Sequence, residues 1–173
     1  MQTEFETKVL EIDKNEIIKL IEANNFTQHA PQDFRRYVYE VNAKSWIRLR
    51  TDGRITTLTY KLYEKNSIDG VQELEIVVSD FEKTHEMLLL MGLKTTSYQE
   101  NRRYRFTNEE VELALDEWPL IPAYLEIEGS DVKVVNKYVE LFKLTGYERT
   151  SEPTSAVYKR YGLDINDHKE LSF

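Results

Sequence analysis

Cysteine is absent from all 173 residues. That excludes disulfides and thiolate metal sites and leads us to expect a reducing compartment. Glycine and proline are scarce, at six and four, so collagen-like, low-complexity and long flexible segments are excluded as well. No apolar run approaches the 18 or so residues of a membrane-spanning helix, and no basic leader precedes an apolar stretch. A cytoplasmic protein without membrane contact is therefore expected. The three histidines, His29, His85 and His168, are scattered without ligand spacing and read as surface or core residues. Bases are in the minority: 23 Lys and Arg stand against 31 Asp and Glu, a formal net charge of -8. A surface that grips nucleic-acid polymers would need the opposite balance. A local basic pocket remains compatible with it.

The content is that of a folded chain, with 40% hydrophobic and 12% aromatic residues. A single domain over residues 1–173 is expected, since two would normally need more chain. Its opening stretch, Thr3-Glu4-Phe5-Glu6-Thr7-Lys8-Val9, puts Glu4, Glu6 and Lys8 on one face of a strand and Phe5 and Val9 on the other. Any half-exposed antiparallel strand alternates in this way. Recurrence makes the pattern informative. Charged-face strands return around Arg48 and Arg50, Lys61, Glu73 and Glu75, Arg103 and Arg105, Glu112 and Asp116, and Glu126 and Glu128. Acids come as Glu-x-Glu pairs and bases as Arg-x-Arg pairs on separate strands, which suggests two jobs.

Between the strands lie helix signals. Asp13 caps a helix over Lys14–Ala23 whose stripe is Ile17, Ile18, Leu20 and Ile21. Ser79 or Asp80 caps a second that Gly92 stops, and Ser130-Asp131 caps a third expected to run to Gly146. A short fourth helix is expected over Ser155–Tyr161. Phe26–Asp33 reads as a connection and Phe34–Val41 as a strand with Tyr37 and Tyr39 on one side and Val38 on the other. Thr51-Asp52-Gly53-Arg54 is a hairpin turn by its Asp-Gly signal. Trp118-Pro119-Leu120-Ile121-Pro122 is expected to leave the sheet, because proline cannot donate to a ladder. Tyr37, Tyr39 and Trp46 read as packing residues. Three times a Glu-x-Glu strand is followed by a capping Asp and an amphipathic helix, and each helix is expected to cover the face opposite its glutamates.

If helices cover the apolar side, the charged side must face water or the inside of a closed barrel. About eight antiparallel strands would leave an interior wide enough for one small ligand. Two carboxylates about 5 Å apart repel by roughly 3 kcal/mol at an effective dielectric near 20, and desolvation adds to that. Such an interior needs water, counter-charges or a ligand. The ligand that serves both halves is a metal-bound polyphosphate, because carboxylates without His or Cys suit Mg²⁺ or Mn²⁺ and arginine forks suit phosphate oxygens.

Glu4-Phe5-Glu6-Thr7-Lys8, in register with Trp46-Ile47-Arg48-Leu49-Arg50, Lys61, Glu73-Leu74-Glu75, Asp116 and Leu125-Glu126-Ile127-Glu128, resembles the CYTH superfamily. These are the triphosphate tunnel metalloenzymes, which include class IV adenylate cyclases, thiamine triphosphatases and inorganic triphosphatases. The resemblance implies an α+β fold: a closed eight-stranded antiparallel tunnel with helices outside. It implies that Glu4, Glu6, Glu126 and Glu128, supported by Asp116, hold Mg²⁺ or Mn²⁺. Lys8, Arg48, Arg50, Lys61 and Arg103 or Arg105 would grip the triphosphate. Glu4, Glu6, Lys8 and Arg50 would form the catalytic set, with Lys159 or Arg160 closing the tunnel from the fourth helix. Glu73 and Glu75 would either join the site or neutralise the arginines, and Glu112 would sit at a rim. The implied activity is hydrolysis of a small-molecule triphosphate. The alternatives are a class IV adenylate cyclase and a non-catalytic polyphosphate or nucleotide binder. Monomer and homodimer both remain open.

Overall fold

The computed structural model describes residues 1–173 throughout. In chain order come β1 (Gln2–Val9), α1 (Lys14–Glu22), β2 (Thr27–Gln28), β3 (Gln32–Asn42), β4 (Ser45–Thr51), β5 (Thr56–Tyr63) and β6 (Val71–Val78). Then follow α2 (Phe81–Leu90), β7 (Thr95–Thr107), β8 (Val111–Trp118), β9 (Ile121–Gly129) and α3 (Val132–Leu141). The chain ends through β10 (Arg149–Thr150), α4 (Thr154–Arg160) and β11 (Glu170–Leu171).

Eight long strands pair in the order β1-β6-β5-β4-β3-β7-β8-β9, and β9 pairs back onto β1. The closure is the work of β1. Its first residues, Gln2 to Glu4, pair with β6, while Phe5 to Val9 pair with β9. One strand handing over from one neighbour to the next removes the open edges that an eight-stranded sheet would otherwise expose. The expected antiparallel barrel is therefore present, with short β2, β10 and β11 added outside the ring.

Period-two alternation then decides what lies where. On β1, β7, β8 and β9 the outward residues Val9, Phe106, Val111, Leu113, Leu115, Leu125 and Ile127 form one apolar cluster. Ile17 and Ile21 of α1, with Val135, Tyr138 and Val139 of α3, cover it. Each such side chain gains about 1.5–3 kcal/mol from leaving water. That gain is available only if the helices lie outside, which turns the opposite, charged faces into the barrel. A second cluster joins Leu10, Trp118, Ile121 and Tyr124 to Val157 and Tyr158 of α4, so α4 packs across one end of the barrel. A third seats Phe81 and Leu88 of α2 on Tyr39 and Leu49.

Asp13 and Asp131 cap as expected, and of Ser79 and Asp80 it is Asp80 that caps α2. Asp13 accepts from Asn15 N and Glu16 N, Asp80 from Lys83 N, and Asp131 from Lys133 N and Val134 N. Gly92 takes φ +90° after α2. Gly129 ends β9 where a Cβ would meet Val134 Cγ1 at 2.9 Å, so its lack of a side chain lets α3 approach the strand.

Several expectations are corrected. The third helix ends at Leu141, because Lys143 turns to φ +56° and a 3-10 turn covers Leu144–Gly146. Trp118–Pro122 does not leave the sheet: Pro119-Leu120 is a two-residue turn with Leu120 at φ +67°, and Pro122 lies within β9. Phe26–Asp33, expected as a connection, contains β2 and the start of β3, while Thr95–Glu100, which reads in sequence as a short strand or loop, is continuous with the Arg103 strand through Thr107. Finally, α2 does not cover its own strand. Its Phe81 and His85 stack on Tyr37 of β3, at centroid distances of 5.4 and 3.8 Å, and Leu74 and Ile76 on the outside of β6 stay 55% and 53% exposed. The apolar surface made by Tyr37 and Tyr39 of β3 and Ile47 and Leu49 of β4 draws the helix away from β6.

Candidate active site

The strand registers bring the charged residues together inside the ring. Between β1 and β9, Glu6 faces Glu128 and Lys8 faces Glu126. Between β8 and β9, Glu112 faces Glu128, and between β7 and β8, Arg103 faces Asp116. Lys61 faces Glu73 across β5 and β6, and Arg36 faces Arg50 across β3 and β4. The cavity inside the ring measures about 510 Å³, and Glu4, Glu6, Lys8, Arg48, Arg50, Lys61, Arg103, Asp116, Glu126 and Glu128 all line it. That volume is ample for a small ligand.

Most of these charges are paired. Lys61 Nζ lies 2.8 Å from both oxygens of Glu4 and 3.2 Å from Glu73 Oε2. Lys8 Nζ lies 2.6 Å from Glu6 Oε1 and 3.5 Å from Glu126 Oε2. Arg103 grips Asp116 with two prongs, at 2.8 and 2.6 Å, and reaches Glu126 Oε1 at 3.0 Å. Glu75 accepts from Arg48 at 3.3 Å and from Thr59 at 2.6 Å. Glu75 thus neutralises an arginine, whereas Glu73 answers a lysine.

The electrostatics are uneven. Burial disfavours ionised Glu126, yet Arg103, Lys8 and Lys61 outweigh it and hold the carboxyl down at about 2. Glu128 is pushed up to about 8 by burial and by the facing Glu126, Glu6, Glu4 and Glu112. Glu6 is raised by burial and Glu126 in spite of its contact with Lys8, and burial also raises Glu4 and Asp116. On the basic wall, Arg50 is pushed well down by burial and by Arg48, Arg36 and Arg103. The interior is therefore acid-rich along β1 and β9 and base-rich along β3 and β4.

Three basic positions fall elsewhere. Arg105 shares the inward face of β7 but ends on Glu112 at 2.7 Å and is not part of the cavity lining, so the two form a rim pair. Arg102 points to the other face and holds Asp33 at 2.7 Å. Lys159 lines the α4 end of the cavity, 3.8 Å from Asp164, while Arg160 turns away to Glu148 and Glu152. Among aromatics, Tyr39 packs beneath α2 as expected, but Trp46 lines the cavity rather than a core.

Arg36, Gln99 and Asn101 also line or border the interior and were not among the expected site residues. Arg36 was within reach: counting back by two from Val38, opposite Tyr37 and Tyr39, lands on it. Gln99 and Asn101 are uncharged and carry no comparable signal.

No three carboxylate or imidazole groups stand as a preassembled metal cluster, since lysines and Arg103 sit between the acids. The donor set still fits a hard divalent cation. Glu4, Glu6, Glu126 and Glu128 are oxygen donors on one wall, where burial and then the neighbouring acids raise Glu128 to about 8, and a cation would relieve that repulsion.

A family model described as the CYTH domain matches residues 2–156. No protein of curated function matches the sequence. Among solved structures, the PH1012 protein of Pyrococcus horikoshii is 21% identical, with 84% of this chain and 94% of that one covered and a TM-score of 0.75. A protein from Bacillus halodurans described as an adenylate cyclase candidate is 19% identical, with 91% and 97% covered and a TM-score of 0.64. HpAC1 from Hippeastrum, an adenylyl cyclase candidate described as having a dominant triphosphatase activity, is 15% identical, with 97% and 100% covered and a TM-score of 0.66. At these identities the likeness establishes the shared barrel. No helix is long and apolar enough to cross a membrane.

Proposed function

Because this chain belongs to the CYTH family, whose enzymes act on triphosphates, we propose that it is a divalent-metal-dependent triphosphatase that hydrolyses the terminal phosphate of a small-molecule triphosphate. The observation that carries this reading is the pairing of β1 with β9, which opposes Glu6 to Glu128 and Lys8 to Glu126 across the cavity from the arginines of β3 and β4.

Glu4, Glu6, Glu126 and Glu128, with Asp116 behind them, would hold Mg²⁺ or Mn²⁺. A bound cation would polarise phosphate oxygens and offset their charge. Lys8, Lys61 and Arg103 would then be free of their carboxylates and available to phosphate oxygens. Arg48 and Arg50 would take the phosphate chain by their forks. Charge building on the departing phosphate would meet this preorganised basic wall, whose donors are already in place and need little reorganisation. A carboxylate of the acid cluster left free by the cation would hold the attacking water at its oxygens and take its proton. Lys159 would close the α4 end.

Phosphate release from tripolyphosphate, thiamine triphosphate and ATP, with Mg²⁺ and with Mn²⁺, tests the reading. Orthophosphate formation lost in Glu4→Gln and in Arg50→Ala is expected. Cyclic AMP and pyrophosphate from ATP would instead identify a cyclase, and near wild-type turnover in both variants would end the assignment.

A further inference from the structure

We propose that Arg36 of β3, together with the indole N–H of Trp118, is a phosphate-oxygen seat that captures the substrate's anionic chain before any metal is bound. The inference rests on the triphosphatase reading and adds to it a residue and an order of events.

Among the buried or half-buried bases of the cavity, Lys8, Arg48, Lys61 and Arg103 each have a carboxylate within 3.5 Å. Arg36 and Arg50 have none. Arg36 is only 7% exposed, and its one hydrogen-bonded side-chain partner is the neutral Asn101, which accepts from Nη2. Its Nε has no partner. Trp118 is 4% exposed, its Nε1 also lacks a partner, and the Arg36 guanidinium lies 4.6 Å from the centre of that ring. Two orphaned buried donors in contact, both on the cavity wall, point to an acceptor that belongs between them and the lumen.

The neighbouring charge sharpens the argument. Arg36 and Arg50 are directly opposite on adjacent strands, an arrangement of like charges that destabilises a sheet. A buried charge without a counter-ion is among the costliest features a fold can carry. Phosphate oxygens would satisfy both guanidinium groups at once, and they accept from an indole N–H equally well. Asn101 adds a positioning contact: while its Oδ1 accepts from Arg36, its Nδ2 donates to Asp116 Oδ1 at 3.2 Å. The seat is thereby tied to the acidic wall by one amide.

The order of events follows from which bases are already engaged. Lys8, Lys61 and Arg103 already have their charge balanced by carboxylates, and a divalent cation taking those carboxylates is what would turn their full charge to phosphate. Arg36 and Arg50 need no such release. Binding of tripolyphosphate in EDTA is therefore expected to depend on Arg36.

Calorimetric titration of tripolyphosphate in EDTA, with wild type, Arg36→Gln and Arg36→Lys, tests this. Wild type is expected to bind, Arg36→Gln to bind at least ten-fold more weakly, and Arg36→Lys to fall between, since an ammonium lacks the fork. Without anion, Arg36→Gln is expected to melt no lower than wild type, because it removes an unpaired buried charge; a merely structural arginine would lower the melting temperature. Binding by Arg36→Gln within two-fold of wild type overturns the proposal. So does a wild type that binds tripolyphosphate only with Mg²⁺, a result that leaves the triphosphatase reading standing. A wild type that binds it under neither condition overturns the proposal too, and absence of phosphate release from thiamine triphosphate and ATP as well is what overturns the triphosphatase reading. Should Arg36→Gln fail to fold, equal EDTA binding by Arg36→Lys and wild type overturns the proposal.

Discussion

Lys8 and Glu126 face each other across β1 and β9, with Nζ and Oε2 3.5 Å apart and both side chains buried. The same ammonium is 2.6 Å from Glu6, so one cation serves acids on two adjacent strands. That ammonium offsets part of the negative charge that the pairing of β1 with β9 brings inside the barrel.

Replacing Lys8 by Met should therefore cost about 3–5 kcal/mol, the range for breaking a buried ion pair on one side. Lys137→Met, which removes an exposed pair with Glu110, should cost far less, because solvent screens a surface pair. Urea unfolding in EDTA compares the two. Equal losses would mean that the interior is wetter and better screened than the register implies.

Glu128 sets a pH dependence. Its carboxyl is raised from 4.5 to about 8 in the folded protein, so between those values the folded state holds a proton that the unfolded chain has released. Stability accordingly falls as pH rises through that window and is fullest below it. Melting temperatures in EDTA should decline from pH 5 to pH 8, and Glu128→Gln should flatten the decline. Mg²⁺ should flatten it too, since metal binding displaces the proton. A wild-type profile parallel to that of Glu128→Gln would remove this residue from the acid cluster.

Arg103 and Asp116 form a two-pronged buried pair. Arg103→Ala leaves Asp116 and Glu126 without their guanidinium, at an expected cost of about 3–5 kcal/mol. Adding Asp116→Asn should recover a measurable part of that loss, because the orphaned charge disappears. Strict additivity in this double-mutant cycle would show that the two side chains do not depend on one another.

Outside the barrel the expectations separate folding from chemistry. Tyr39 Oη and His85 Nδ1 are 2.6 Å apart beneath α2. Tyr39→Phe should cost about 1 kcal/mol and leave triphosphate turnover unchanged. Ile127→Ala, in the largest apolar cluster, should cost about 2–5 kcal/mol. A turnover loss in Tyr39→Phe with stability intact would place α2 in the reaction.

What the sequence alone determined is the set of local choices. Alternation at Glu4, Glu6 and Lys8 and at Arg48 and Arg50 settles which side chains share a face, because successive residues of a strand point opposite ways. The aspartates at 13, 80 and 131 determine where three helices begin, because a short carboxylate reaches the first free amides. Tertiary structure decided everything that depends on a neighbour. Arg103 enters the lumen while Arg105, two residues on and facing the same way, is spent on Glu112 at the rim; Asp116 lies opposite one and Ala114 opposite the other, and only register pairs them. α2 abandons Leu74 and Ile76 for the aromatic surface of β3. Arg36 is an ordinary charge on paper and becomes an uncompensated one only when closure puts Arg50 beside it and every carboxylate out of reach, since a charge acquires its partners from the fold and not from its place in the chain.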